Sequence, residues 1–236
     1  MSHDPPAPQL VAISAGQFMM GESPGDKFAN DTERPAHLVH LRPFALGRFP
    51  VTVGEYRAFA SGHAPSDDPA LPVVNVSWDD ARTYCAWLSA THGESYRLPS
   101  EAEWEFACRA GSTTPFAFGT EITPREANYY YSESGERIGR GRRTACGEFA
   151  ANAFGLHDLH GNVCEWVDDV WHSNYLGAPD DGAAWLAEGH PTRRVIRGGA
   201  WDYLPRLVRS AWRDGLGVDR RRDNVGFRIA TSKIPA

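Results

Sequence analysis

Two carboxylates around a glycine turn offer the clearest inorganic chemistry in the chain. Asp158 and Glu165 stand seven residues apart in Asp158-x-x-Gly161-x-Val163-x-Glu165. They bracket exposed carbonyls in a turn. Oxygen donors in a loose geometry suit a hard cation, and calcium better than magnesium or zinc. The competing reading is an N-cap and a surface carboxylate. His157 and His160 could set two imidazoles together on a helical turn, although the phrase also reads simply as a turn. Thiol chemistry has fewer openings. Cys85, Cys108, Cys146 and Cys164 form no CxxC, which excludes a zinc ribbon or a thioredoxin-like motif.

Recognition chemistry concentrates in residues 193–230. This stretch holds ten arginines and only four acids, all aspartate, in a chain whose net charge is −6. Arginine suits planar, multi-donor pairing, though a genome rich in G and C would raise its use as well. Strand-like runs open the stretch at Val195-Ile196-Arg197-Gly198-Gly199 and close it at Val225-Gly226-Phe227-Arg228-Ile229. Between them aromatics, acids and glycines mix without period, which predicts irregular backbone held between two anchored strands. Large mixed side chains on such loops make a binding surface. The candidate ligand-binding residues are Trp201, Asp202, Tyr203, Leu204, Arg206, Leu207, Trp212, Asp214, Gly215, Leu216 and Arg220. For Trp201 and Trp212 the alternative is a core role, stapling the loops.

The rest of the chain must position these residues. Hydrophobic content of 42% and charged content of 23% are ordinary for a soluble globular chain of 236 residues. Eight Trp and 23 Gly point to a loop-rich fold pinned by aromatics. The net charge predicts no general affinity for nucleic acid. The opening MSHDPPAPQL lacks a basic and apolar leader, and no apolar run could span a membrane, so a cytoplasmic protein with reduced cysteines is expected.

Short strands are expected at Leu10-Val11-Ala12-Ile13, around Gln17-Phe18-Met19-Met20, at His37-Leu38-Val39-His40-Leu41, at Phe44 to Phe49 and at Tyr96 to Pro99. Three helices should start at Thr52-x-x-Glu55, Ser77-Trp78-Asp79-Asp80 and Ser100-x-x-Glu103, the first and third being capping boxes. On the second helix Trp78, Ala81, Cys85 and Leu88 share one face, which makes Cys85 a core residue. From 112 to 153 no period is visible, and a long ordered loop region is expected. The organisation expected is a tail at 1–9, one domain at 10–231 and a tail at 232–236.

Several phrases together resemble the formylglycine-generating enzyme (sulfatase-modifying factor) family. They are Glu33-x-Pro-x-His37, Pro72-Val73-x-x-Val76-Ser77-Trp78, Tyr96-Arg97-Leu98-Pro99-Ser100-Glu101-Ala102-Glu103-Trp104-Glu105, Asn152-Ala153-Phe154-Gly155-Leu156, Gly161-Asn162-Val163-Cys164-Glu165-Trp166, Arg197-Gly198-Gly199, Arg209-Ser210-Ala211 and Gly226-Phe227-Arg228. The resemblance spans roughly residues 10 to 230. It implies an α+β, irregular C-type lectin-like fold with short twisted strands, about three helices and many loops. It also implies calcium, held by side chains at 158 and 165 and carbonyls at 161 and 163. A second family calcium site would use Asn128 and Tyr129, where the basic run from Arg137 to Arg143 intrudes.

Members that make formylglycine carry two cysteines shortly after Gly-Gly, as copper ligands and thiol partners of the substrate. Here that segment reads Ala200-Trp201-Asp202-Tyr203-Leu204-Pro205-Arg206, and no cysteine follows Cys164. Two related groups share the scaffold. Ergothioneine-type sulfoxide synthases add a helical domain with a three-histidine iron site, which this chain lacks. Variable proteins of diversity-generating retroelements vary a C-terminal stretch of the type RGG-W…RSA-R…GFR. Asp202, Tyr203, Leu204, Leu207, Asp214, Gly215, Leu216, Gly217 and Arg220 are all reachable by adenine mutation of one asparagine codon, whereas Trp212 is not.

The expectation is a non-catalytic module for a protein or small-molecule ligand, with structural calcium at Asp158, Gly161, Val163 and Glu165. The alternative is an iron- or copper-dependent oxidoreductase of the same superfamily.

Overall fold

A computed structural model describes residues 7–63 and 68–234. The tails expected at 1–9 and 232–236 fall partly outside those residues, at 1–6 and 235–236.

Local sequence signals set the helices. α1 (Val53–Phe59), α2 (Trp78–His92) and α3 (Glu101–Arg109) each open on a full capping box, with Thr52, Ser77 and Ser100 as caps. In each box the cap hydroxyl accepts a backbone N–H while the carboxylate three residues on accepts the cap's own N–H. Gly93, in the left-handed region at φ 67°, terminates α2. Trp78, Ala81, Cys85 and Leu88 are all buried, as the spacing predicts.

β1 (Leu10–Ile13), β4 (Phe44–Gly47) and β9 (Ala230–Thr231) form a three-stranded antiparallel sheet. β2 (Gly16–Met20) pairs with β3 (His37–Leu41) as a separate two-stranded ribbon. The central sheet has the order β7 (Arg213–Gly217), β6 (Arg193–Arg197), β5 (Cys164–Val170), β8 (Val225–Phe227). β5 runs antiparallel to β6 and parallel to β8. Residues expected as a strand at 96–99 instead make one isolated bridge, Arg97 to Ala230. From 112 to 153 there is neither helix nor strand, as expected.

The C-terminal stretch departs from the expectation of wholly irregular backbone. β7 lies inside it, in antiparallel register with β6 from Arg193 opposite Gly217 to Arg197 opposite Arg213. Gly215 makes this possible, because a Cβ there would stand 2.4 Å from Trp171 Cγ. Between β6 and β7 the chain turns through Gly198 and Gly199, at φ 90° and 70°. A Cβ on Gly199 would lie 2.3 Å from the Leu207 carbonyl oxygen, so only glycine lets residues 199 and 207 meet.

One apolar cluster packs α1 and α2 against the central sheet through Tyr56, Tyr84, Trp166 and Phe227. A second packs α3 between the sheets through Leu46, Trp104, Leu156 and Val195.

A candidate recognition site

Four arginines of the C-terminal stretch are frame, not surface. Arg197, Arg209, Arg213 and Arg228 are at most 3% exposed. Arg228 grips Glu165 with Nε and Nη2, at 2.6 and 2.7 Å. Arg213 takes both oxygens of Glu101. Arg209 takes both oxygens of Glu33 and also Asp26. Arg197 donates to Glu105 and to the carbonyls of Ser210, Ala211 and Trp212. Glu105 receives Arg109 as well, at 2.8 Å. Planar forks meeting carboxylates two bonds at a time fix direction as well as distance. Helix α3 is the hub, since Glu101 and Glu105 lie one turn apart and face inward. The acidic Glu101 stays below the usual carboxylate range: burial opposes this, and the Arg213 and Arg197 charges outweigh it.

These pairs move several expected residues off the display surface. Trp212 and Leu216 are each 6% exposed and belong to the core, and Gly215 is buried against Trp171. Asp214, between them, is exposed and stands 3.6 Å from Arg193. Alternation does not explain this split, because Asp214 and Leu216 lie on the same face of β7; Leu216 packs into the core cluster while Asp214 stands at the exposed end beside Arg193. Arg220 is exposed.

Residues 201–207 keep a half-exposed face. The Tyr203 carbonyl accepts the N–H groups of Tyr130 and Tyr131, and its ring meets Trp212 edge-on at 5.6 Å. Asp202 accepts both its bonds from the Asn224 amide, at 3.1 Å each. Trp201 is half-buried, and its indole N–H has no acceptor among the described residues. Leu204 leads into a one-turn 3-10 helix, Pro205–Leu207. Leu207 packs on the core. Arg206 pairs with Glu133 at the surface, with side chains 41% and 34% exposed.

Beside this face lies a groove of about 390 Å³. Phe28, Phe116, Ile122 and Pro205 supply its apolar lining, with Lys27, Glu121 and Arg206 among its charged residues. Arg209 ties two of its walls together by also donating to the Phe28 and Arg206 carbonyls. Of the eleven expected ligand-binding residues, Arg206 alone lines it. The segments 24–28 and 115–122 had no local signal, because they are aperiodic loops made into walls by distant partners.

The turn at 158–163 is tight. Asp158, Gly161 and Asn162 all have left-handed backbones, and a Cβ on Gly161 would lie 2.2 Å from the Asn128 carbonyl oxygen. Asp158 is 8% exposed, accepts the Gly147 N–H at 2.7 Å and makes no ion pair among the described residues. Burial pushes its carboxyl up to about 6. A buried carboxylate without a counter-charge is a donor suited to a cation. Glu165 fits less well, because Arg228 and the Trp104 indole N–H already hold its oxygens. Of the two expected carboxylate donors, Asp158 is free of ion pairs among the described residues, while Glu165 is committed to the frame.

The two histidines are structural. His160 donates from Nδ1 to the Val208 carbonyl and accepts the Ala117 N–H at Nε2, so it is neutral. Burial lowers it to about 4. His157 contacts the Phe149 carbonyl through Nδ1. All four cysteines are free. Burial pushes Cys85 and Cys108 up to about 12, and Cys146 and Cys164 higher still. No helix of the described residues is long and apolar enough to cross a membrane.

Known proteins share this architecture. A formylglycine-generating enzyme of Thermomonospora curvata is 28% identical, over 95% of this chain and 94% of that protein. The inactive Cα-formylglycine-generating enzyme 2 of Mus musculus is 29% identical, over 95% and 86%. The solved structure of PvdO from Pseudomonas aeruginosa matches with a TM-score of 0.86 and 36% identity, covering 96% of this chain and 95% of that one. Treponema denticola variable protein 1 shares the fold, with a TM-score of 0.79 and 22% identity over 95% of each chain. The family model described as the sulfatase-modifying factor enzyme 1-like domain matches residues 1–233, and the chain belongs to that family.

Proposed function

We propose that this protein is a non-catalytic binding module that holds a protein or small-molecule ligand at the face formed by residues 201–207 and the adjoining groove. The observation that carries the reading is the division of labour within the C-terminal stretch. Its buried arginines fix a rigid frame, and the half-exposed segment between them borders a groove lined by aromatic and charged side chains. Aromatic and arginine anchors are what recognition surfaces favour. The chain also has no cysteine after Cys164, where thiol-based oxidation of a sulfatase cysteine requires two. Free thiols, three of the four buried, fit a reducing, cytoplasmic setting.

A retroelement variable protein is the sharper form of this reading. Positions 202, 203, 204, 207, 214 and 220 have exposed or half-exposed side chains that suit diversification, whereas 215 and 216 are buried. A reverse transcriptase gene and a near-copy of the 3′ coding segment beside the gene would carry it. Calcium is proposed as a structural cofactor at Asp158 with the carbonyls of Gly161 and Val163.

The deciding experiment has two arms. Purified protein incubated with a CxPxR peptide is expected to yield no aldehyde by mass spectrometry, and aldehyde formation would overturn the reading. Peptides selected from a displayed library on the wild-type protein should bind at least about tenfold more weakly to Arg206→Ala or Phe28→Ala, as expected for anchors worth 1.4 kcal/mol or more. Selected binders indifferent to both substitutions would place recognition elsewhere.

A further inference from the structure

A cavity of about 720 Å³ shares no residue with the recognition groove. Its walls come from the β3–β4 connection, the segment entering α3, β5, residues 181–184 and the chain end at 232–234. Most of its charges are already matched. Arg97 and Glu103 form a two-bond pair at 2.6 Å each, and Glu103 also accepts the Ser100 N–H. Asp181 accepts the Ala183 N–H.

The side chains of two charged residues in the cavity make no direct hydrogen bond among the described residues. Arg42 is exposed and makes no ion pair or hydrogen bond among the described residues. Asp168 is half-buried and its carboxylate accepts no hydrogen bond there, although its backbone N–H reaches Pro99 and its carbonyl accepts Arg194. Burial holds the Asp168 carboxyl above its ordinary range, against the through-space pull of Arg82, Arg194 and Arg97. The carboxylate is thus short of direct donors inside a cavity. The exposed Pro43 and Ile234 supply apolar wall in the same cavity. The lining is mixed, apolar wall beside polar groups of definite sign that can fix the orientation of a ligand.

We propose that this cavity binds an apolar zwitterion, an amino acid or a short peptide, with its ammonium on Asp168 and its carboxylate on Arg42. The ammonium supplies the donors that Asp168 lacks, and the guanidinium of Arg42 offers a planar fork to a carboxylate. The apolar side chains of the ligand lie against Pro43 and Ile234.

The test is titration of the full chain with leucyl-leucine, N-acetyl-leucyl-leucine and leucyl-leucinamide, followed by calorimetry and by amide NMR shifts. Saturable binding of the free dipeptide is expected, with each capped peptide about tenfold weaker or worse, as for loss of one charge-assisted bond. Asp168→Asn keeps the backbone contacts and should weaken the dipeptide about tenfold while abolishing the penalty of acetylation. Arg42→Ala, at an exposed position, should abolish the penalty of amidation. Three results would overturn the proposal: no saturable binding at millimolar dipeptide, capped peptides binding as well as the free one, or shifts centred on Phe28 and Phe116. The comparison of peptides on the wild-type protein stands even if Asp168→Asn fails to fold.

Discussion

The C-terminal stretch holds two populations of the same residue. Arg197, Arg209, Arg213 and Arg228 are at most 3% exposed, and each takes a carboxylate from a distant segment. Arg206, Arg220, Arg221 and Arg222 lie at or near the surface, and the pairs made by Arg206 and Arg221 are with half-exposed acids. Density of arginine in the sequence therefore says nothing about which way the charge faces. The deciding quantity is whether an acid is carried into the core to meet it. A buried pair with both hydrogen bonds made is costly to break from one side, because the remaining charge stays desolvated. An exposed pair is worth little.

The largest effects should come from breaking the frame. Arg228→Ala leaves Glu165 buried without its counter-charge and should cost about 3–5 kcal/mol. Arg197→Ala leaves Glu105 still paired with Arg109 and should cost less. Phe227→Ala, at a fully buried ring packed against Tyr56 and Tyr84, should cost as much as Arg228→Ala, roughly 3–5 kcal/mol. Denaturant midpoints measure all three. If Arg228→Ala unfolds no more easily than Arg206→Ala, the division into frame and rim fails.

Next in size is a pH effect that sharpens the comparison, because Asp158 is a buried acid with no arginine. Its folded value of about 6 lies above the ordinary 3.8. A group raised on folding contributes stability that is complete below about pH 4 and is lost as pH rises through 6. Metal-free protein should therefore lose roughly 3 kcal/mol from this group between pH 4 and 7. Asp158→Asn should flatten that slope. Calcium binds the ionised form, so it should offset the loss, adding about 2.7 kcal/mol at a hundredfold excess over Kd. Thermal melts across pH, with calcium and with chelator, measure this. A chelator-insensitive melting temperature at pH 7 would count against the cation.

What could be read from the sequence follows from the range of the interactions. The capping boxes of α1 and α3, the start of α2 and its buried face were legible because each is completed within a few residues. The inward acids of α3 were not. Glutamate on a short helix ordinarily reads as solvated, and the arginines that reverse this for Glu101 and Glu105 lie about a hundred residues downstream. β7 was missed because Arg-Asp-Gly-Leu-Gly has poor strand propensity. It forms because Trp171 occupies the space that Gly215 leaves open. The groove walls at 24–28 and 115–122 were equally silent. They join through Arg209, a residue that the sequence marked only as one member of a recurring phrase. Spacing and the resemblance marked Asp158 and Glu165 as a pair, but neither could reveal that Arg228 holds Glu165.

The smallest effects give the most stringent comparison, because they fall within one strand. Asp214 and Leu216 are two residues apart in β7, yet one is exposed and the other is 6% exposed in the core. Leu216→Ala should cost about 2–5 kcal/mol. Asp214→Ala removes only a long contact to a half-exposed Arg193 and should stay within about 0.5 kcal/mol, as should Arg220→Ala. If the rim is the recognition face, changes at 202, 203 and 204 should alter binding of selected peptides with melting temperatures close to wild type. Comparable unfolding by Asp214→Ala and Leu216→Ala would mean that Asp214 is as embedded as Leu216. In that case diversification at 214 would be as damaging as at 216, and the tolerant surface would shrink to residues 201–207.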